Sequence, residues 1–150
     1  MTTPFLVNDL MRDEGLRLAA YPDPLSGGDP WTIGYGHAGP EVTAQTVWTQ
    51  SQATDTLIED IAIAQSELDE KLPWWRTLDD VRQDVLVEMA FNLGIDGLLG
   101  FHRTLAAVQA GQWAAASADM LLSAWASEVG ARAARLAAAM RSGSRTGGGD

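Results

Sequence analysis

The stretch from Thr49 to Pro73 constrains this chain more than any other. Thr49 with Gln52 reads as a capping box, in which each side chain satisfies a backbone N–H that the first helical turn leaves open. Leu57, Ile61, Ala64 and Leu68 then recur on one face, and Pro73 ends the pattern. The spacing predicts one long helix over roughly 50–71, so the rest of the chain must be arranged before and after it. Before it, Thr3-Pro4 opens a short helix with Val7, Leu10, Met11 and Glu14 at i, i+3, i+4 and i+7, and Gly15 supplies a stop. Residues 21–30 are dense in turn formers. Trp31 to Ala38 then alternate, with Trp31, Ile33, Tyr35 and His37 on one side, which reads as a strand in a small hairpin sheet. After the long helix, Asp79 caps another, with Val81, Val85, Met89 and Leu93 inside and Gly94 after it. Further helices follow over roughly 98–110, 112–125 and 129–141. The expected fold class is α+β, mainly helical: a small N-terminal lobe (1–50), a connecting helix (50–72), a helical lobe (73–143) and a flexible tail (144–150), in one domain.

Charge and composition narrow the function. The 150 residues contain no cysteine, which excludes a disulfide scaffold, a thiol nucleophile and a thiolate metal site. Residues 1–70 hold 12 acids and 2 bases, whereas residues 71–150 hold 8 of each. The net charge of −10 argues against nucleic acid as a partner. Arg132, Arg135, Arg141 and Arg145 form a local basic end, the expected place to meet an anionic surface. The N-terminus shows neither a basic leader nor a long apolar run, so no secretory signal and no membrane insertion are expected.

Few residues invite chemistry. Glu14 lies on the apolar side of the first helix, at its C-terminal end. Lost hydration and the helix dipole there both favour the protonated acid, as a general acid requires. Asp23, in a solvated turn, would stay ionised. Two carboxylates in unlike surroundings are what glycoside hydrolysis uses. Thr32 shares its strand face with Gly34, a glycine that can mark the close approach of a ligand, and its hydroxyl could orient a water. His37 lies on the Trp31/Ile33/Tyr35 face, where a packed, hydrogen-bonded histidine is expected. His102 is expected at the surface. No metal site is expected, since any such site would have to rely on carboxylates at ordinary spacings. No Gly-x-Ser-x-Gly elbow occurs, and no Lys-Ser/Thr follows Gly27-Gly28 to make a phosphate loop.

Three blocks together carry a family resemblance: Asp13-Glu14-Gly15-Leu16-Arg17-Leu18, Tyr21-Pro22-Asp23, and Trp31-Thr32-Ile33-Gly34-Tyr35-Gly36-His37. They resemble the active-site block of the phage-type lysozymes, glycoside hydrolase family 24, as found in short phage endolysins. Leu78 to Arg82, Met89 to Gly94, Gly100-Phe101, Trp125 and Arg132 to Arg135 are similar to the family's C-terminal lobe. The resemblance spans roughly residues 5–143.

The resemblance implies catalytic roles for Glu14 as general acid, Asp23 as base or electrostatic partner, and Thr32 as the residue that positions the attacking water. Thr32 stands nine residues after Asp23, where the family spacing is six. The extra residues fall in Pro24–Pro30 and leave Asp29 as the alternative second carboxylate. The resemblance further implies a structural ion pair between His37 and Asp60, and substrate-binding positions at Phe91, Asn92, Thr104 and Arg132. Arg132 matches the family arginine that reaches the catalytic glutamate. Ala38 replaces a bulkier family residue.

The expected function is a muramidase that cleaves the β-1,4 bond between N-acetylmuramic acid and N-acetylglucosamine with inversion and without a cofactor. Peptidoglycan strands are the expected partner and a monomer the expected state. The implied route runs from the host cytoplasm to the wall, opened by a holin. The alternatives are a lytic transglycosylase and an inactive wall-binding domain.

Overall fold

The computed structural model describes residues 4–145. The chain divides after Ile63 into two compact units, and the division falls within a single helix, α2 (Gln50–Lys71). The expected capping box starts α2. The Thr49 N–H donates to Gln52 Oε1 at 2.8 Å, and the Gln52 N–H donates to Thr49 Oγ1 at 3.1 Å. Leu57, Ile61, Ala64 and Leu68 are all buried.

The first unit opens with α1 (Pro4–Glu14), whose buried residues are Leu6 and Leu10. The apolar stripe is thus rotated by one residue from the expected Val7/Leu10/Met11 face, because Leu6–Leu10–Glu14 forms an i, i+4, i+8 line. Thr3, the expected cap, lies outside the described residues, as does the tail beyond Arg145. A three-stranded antiparallel sheet follows in the order β1 (Arg17–Tyr21), β2 (Thr32–Gly34), β3 (His37–Ala38). Residues 31–38 therefore do not form the single expected strand. Ile33 pairs with His37 and Thr32 with Ala38, so Gly34, Tyr35 and Gly36 make a tight reversal. Both glycines have positive φ, which closes the turn. On the outer edge of β1, Ala19 bridges to Val47, the Ala20 N–H donates to the Thr46 carbonyl, and the Trp48 N–H donates to the Leu18 carbonyl.

The second unit is helical. Trp75–Thr77 form a 3-10 turn, followed by α3 (Asp80–Leu99), α4 (His102–Gln109), α5 (Trp113–Leu122), α6 (Ala124–Val129) and α7 (Ala131–Ser142). α7 packs chiefly on α5, and also on α3 and α6. Alanines on their facing sides (Ala116, Ala133, Ala137) let the axes come close, and Leu86, Met89, Met120, Leu136 and Met140 fill the core. Asp79 caps α3 as expected, accepting from the Arg82 N–H. Gly94 interrupts α3 with φ 77°, ψ 158°, yet helical bonding resumes to Leu99. The expected helix over 112–125 is two helices. Ser123 ends α5 by donating to the Met120 carbonyl and starts α6 by accepting from the Ala126 N–H. Arg82 ties the ends of α3 and α7 together: it donates to the Met140 and Arg141 carbonyls and stacks 3.9 Å from the Trp113 ring centroid. Among the described residues no single helix is long and apolar enough to cross a membrane.

Candidate active site

The three proposed hydrolytic side chains all lie in the first unit. Glu14 ends α1, half-buried, on the line of Leu6 and Leu10. Its carboxylate lies directly against the β2–β3 turn: a Cβ placed on Gly36 would sit 2.7 Å from Glu14 Oε1. A side chain there would push the Glu14 carboxylate aside, and the φ of 80° favours glycine.

Asp23 follows β1 by two residues. Its Oδ2 accepts from the N–H groups of Leu25 (3.1 Å) and Ser26 (2.9 Å), the geometry of an Asx turn. Among the described residues Oδ1 makes no hydrogen bond. Thr32 begins β2 and pairs with Tyr21 on one side and Ala38 on the other. The register therefore places Thr32 at the end of the sheet where the chain leaves Tyr21 for Asp23.

β1 shifts register against β2 between Arg17 and Tyr21, while the hydrogen bonds of the longer loop close on themselves. The Asp23 N–H donates to the Gly28 carbonyl, the Gly27 N–H to the Asp23 carbonyl, and Ser26 Oγ to the Asp29 carbonyl at 2.6 Å. Asp29 is exposed. It borders a cavity of about 440 Å³ lined also by Pro30, Trp31, Ala38, Pro40 and Val42.

His37 stands between two carboxylates. Nδ1 lies 2.7 Å from Asp60 Oδ2 on α2, and Nε2 lies 2.8 Å from Glu41 Oε2. Each ring nitrogen has a carboxylate oxygen within hydrogen-bond distance, an arrangement that favours the doubly protonated ring. Burial alone would lower the His37 pKa, but the hydrogen bonds to Asp60 and Glu41 outweigh it and hold the pKa above its ordinary value. The His37 bond in turn holds the Glu41 carboxyl below the usual range. The Trp48 ring lies 5.6 Å from the imidazole. Sequence reasoning paired His37 with Asp60 and missed Glu41, which stands four residues on in a loop with no periodic signal. Gly34 also differs from expectation. A Cβ there would meet the Trp48 ring at 2.9 Å, so Trp48, not a ligand, makes the close approach.

The four substrate-binding candidates lie in the second unit. Asn92, exposed on α3, accepts from the Trp125 indole N–H at 2.7 Å, and Trp125 meets Phe101 edge-on at 6.1 Å. Phe91 precedes Asn92 and is half-buried, as is Arg132 in the first turn of α7. Thr104, on α4, borders a cavity of about 360 Å³ together with Phe101, His102, Arg103, Asp119 and Leu122. His102 is exposed there, as expected. Asp119 and Leu122 carried no sequence signal beyond their place on a helix. Two of the four arginines of the basic end are paired with buried acids, Arg135 with Glu88 at 3.3 Å and Arg145 with Asp84 at 2.7 Å, while Arg141 is exposed. Among the described residues no group of three His, Cys, Asp or Glu side chains could hold a metal ion.

A family model described as phage lysozyme matches residues 11–141. The chain belongs to the phage lysozyme family. Relatives of that kind include the pre-baseplate central spike protein Gp5 of Enterobacteria phage T4, 32% identical over 85% of this chain and 26% of the relative. The endolysin of Bacillus phage PZA is 34% identical over 59% of this chain and 33% of its own length. A probable T4-type lysozyme of Dictyostelium discoideum is 22% identical over 91% of this chain and 94% of its own. The chain thus spans between a quarter and two fifths of the phage proteins it matches.

Proposed function

We propose that this phage lysozyme is a peptidoglycan hydrolase, a muramidase that cuts the β-1,4 bond between N-acetylmuramic acid and N-acetylglucosamine. Glu14 donates its proton to the glycosidic oxygen as the bond to the sugar's anomeric carbon breaks. A water held by Thr32 attacks that carbon from the opposite face and gives up its proton to Asp23, with inversion. The observation that carries this reading is the sheet itself. Its turn at Gly36 abuts the Glu14 carboxylate, and its other end pairs Thr32 beside the strand that leads to Asp23. The pairing of Thr32 with Tyr21, two residues before Asp23, favours Asp23 over Asp29 as the second carboxylate.

The test is clearing of purified cell walls with analysis of the products. Glu14→Gln lowers turnover at least about 10³-fold, and Asp23→Asn lowers it about 10²-fold. Products end in reducing muramic acid. 1,6-Anhydro ends would make the protein a lytic transglycosylase, and full activity of Glu14→Gln would remove the mechanism.

In the cell we place the enzyme in host lysis, made in the cytoplasm and admitted to the wall by a holin. The match to a spike protein over most of this chain supports a second setting, a wall-cutting domain carried by the particle. Detection of the chain in purified virions decides between them.

A further inference from the structure

The 440 Å³ cavity at the hairpin tip takes no part in the chemistry above. Its walls are apolar: Pro30, Trp31, Ala38, Pro40 and Val42. Asp29 contributes the charge. The two places where this chain departs from the family pattern both border it, since the lengthened loop supplies Asp29 and Pro30 and Ala38 supplies the room. The Asp29 backbone is held by the 2.6 Å bond from Ser26, whereas its carboxylate makes no hydrogen bond or ion pair among the described residues. The other carboxylates of this region are engaged. Glu41 and Asp60 hold His37, and Asp23 holds its own turn.

An indole, two prolines and one uncommitted carboxylate suit an aliphatic chain that ends in an ammonium group. Methylenes lie against the rings, and the cation meets the carboxylate and the indole face. A neutral sugar would find few side-chain hydrogen-bond partners among these walls. An anion would meet the field of a unit in which residues 1–63 hold nine acids and two bases. We propose that this cavity binds a primary ammonium on an aminoalkyl side chain. Resting on the peptidoglycan reading, that group is the free amine of a diamino acid in the wall's peptide stems. The pocket would then set which walls are cut well.

The test uses binding and turnover separately. The Glu14→Gln protein is titrated with a soluble muropeptide that has a free stem amine, and with the same muropeptide N-acetylated. The Trp31 indole N–H signal, assigned by its absence in Trp31→Phe, is followed by NMR. The free-amine form shifts it; the acetylated form and the Asp29→Asn background do not. On whole walls, acetylating the amines raises the wild-type KM about fivefold, and Asp29→Asn loses this dependence. An unmoved Trp31 signal, or equal shifts with both muropeptides, overturns the proposal. So does a kcat lost to Asp29→Asn alike on both walls, which would make Asp29 the second catalytic carboxylate. Should Glu14→Gln still clear walls while the amine dependence persists, the catalytic reading fails and the pocket stands.

Discussion

The two units combine apolar burial and polar ties in different proportions. In the second, helices bury an apolar core around Leu86, Met89, Met120 and Met140, and alanines bring α5 and α7 together. In the first, strands of two to five residues cannot bury much. The apolar core of that unit comes from the helices and β2 (Leu6, Leu10, Ile33, Leu57, Ile61), and polar ties of fixed geometry hold the sheet and its turns: the Asp60–His37–Glu41 clasp, the Asx turn at Asp23 and the capping box at Thr49. Apolar burial is indifferent to pH and to small changes of angle. Charged hydrogen bonds are sensitive to both, and they occur where the proposed hydrolytic side chains must be placed to within fractions of an ångström.

That contrast can be broken by substitution. The largest expected effect is in the helical core. Leu86→Ala, at a fully buried position, costs about 3 kcal/mol of unfolding free energy by chemical denaturation, with little dependence on pH. A cost under about 1 kcal/mol would mean that this core is loosely packed. Next comes the clasp. His37→Ala costs about 2 kcal/mol near pH 6, with allowance for the part of the ring that meets solvent, and it lowers stability more than it lowers turnover. Its pH dependence has a definite sign. The His37 pKa is raised on folding, so its contribution is complete below the ordinary histidine value of about 6.5 and is lost as pH rises through the folded value. Glu41 has a lowered pKa, so its share is lost in the other direction, as pH falls through that lowered value. Denaturation of wild type and His37→Ala from pH 5 upward should show the gap closing at the alkaline end. A constant gap would reduce the clasp to packing. The smallest effect belongs to the cap: Thr49→Ala costs about 1 kcal/mol, read as a lower melting temperature.

Legibility in the sequence followed the range of the interactions. The limits and buried face of α2 were readable because a capping box at its start, an apolar repeat along it and a proline just past its end are all local signals. α1 was readable as a helix, but its phase was off by one residue, because Val7 and Met11 imitate the stripe that Leu6 and Leu10 form. β1 left no trace. Arg17–Tyr21 does not alternate, and its partners at Gly34, Thr32 and Val47 come later in the chain. Asp84 and Glu88 look like surface acids on α3, yet both are buried, with partners 61 and 47 residues away. The family motif brought Glu14, Asp23 and Thr32 forward when spacing alone could not. It could not bring Glu41 forward, because that contact lies outside the motif.

The loop after Asp23 has a consequence for engineering. Asp23, Ser26 and Gly28 satisfy one another, so the loop is closed by its own hydrogen bonds. It behaves as a cassette. Sequences exchanged between Pro24 and Pro30 must keep the N–H groups at positions 25 and 26 that hold the Asp23 carboxylate, so a new binding preference is best grafted at positions 27 to 30.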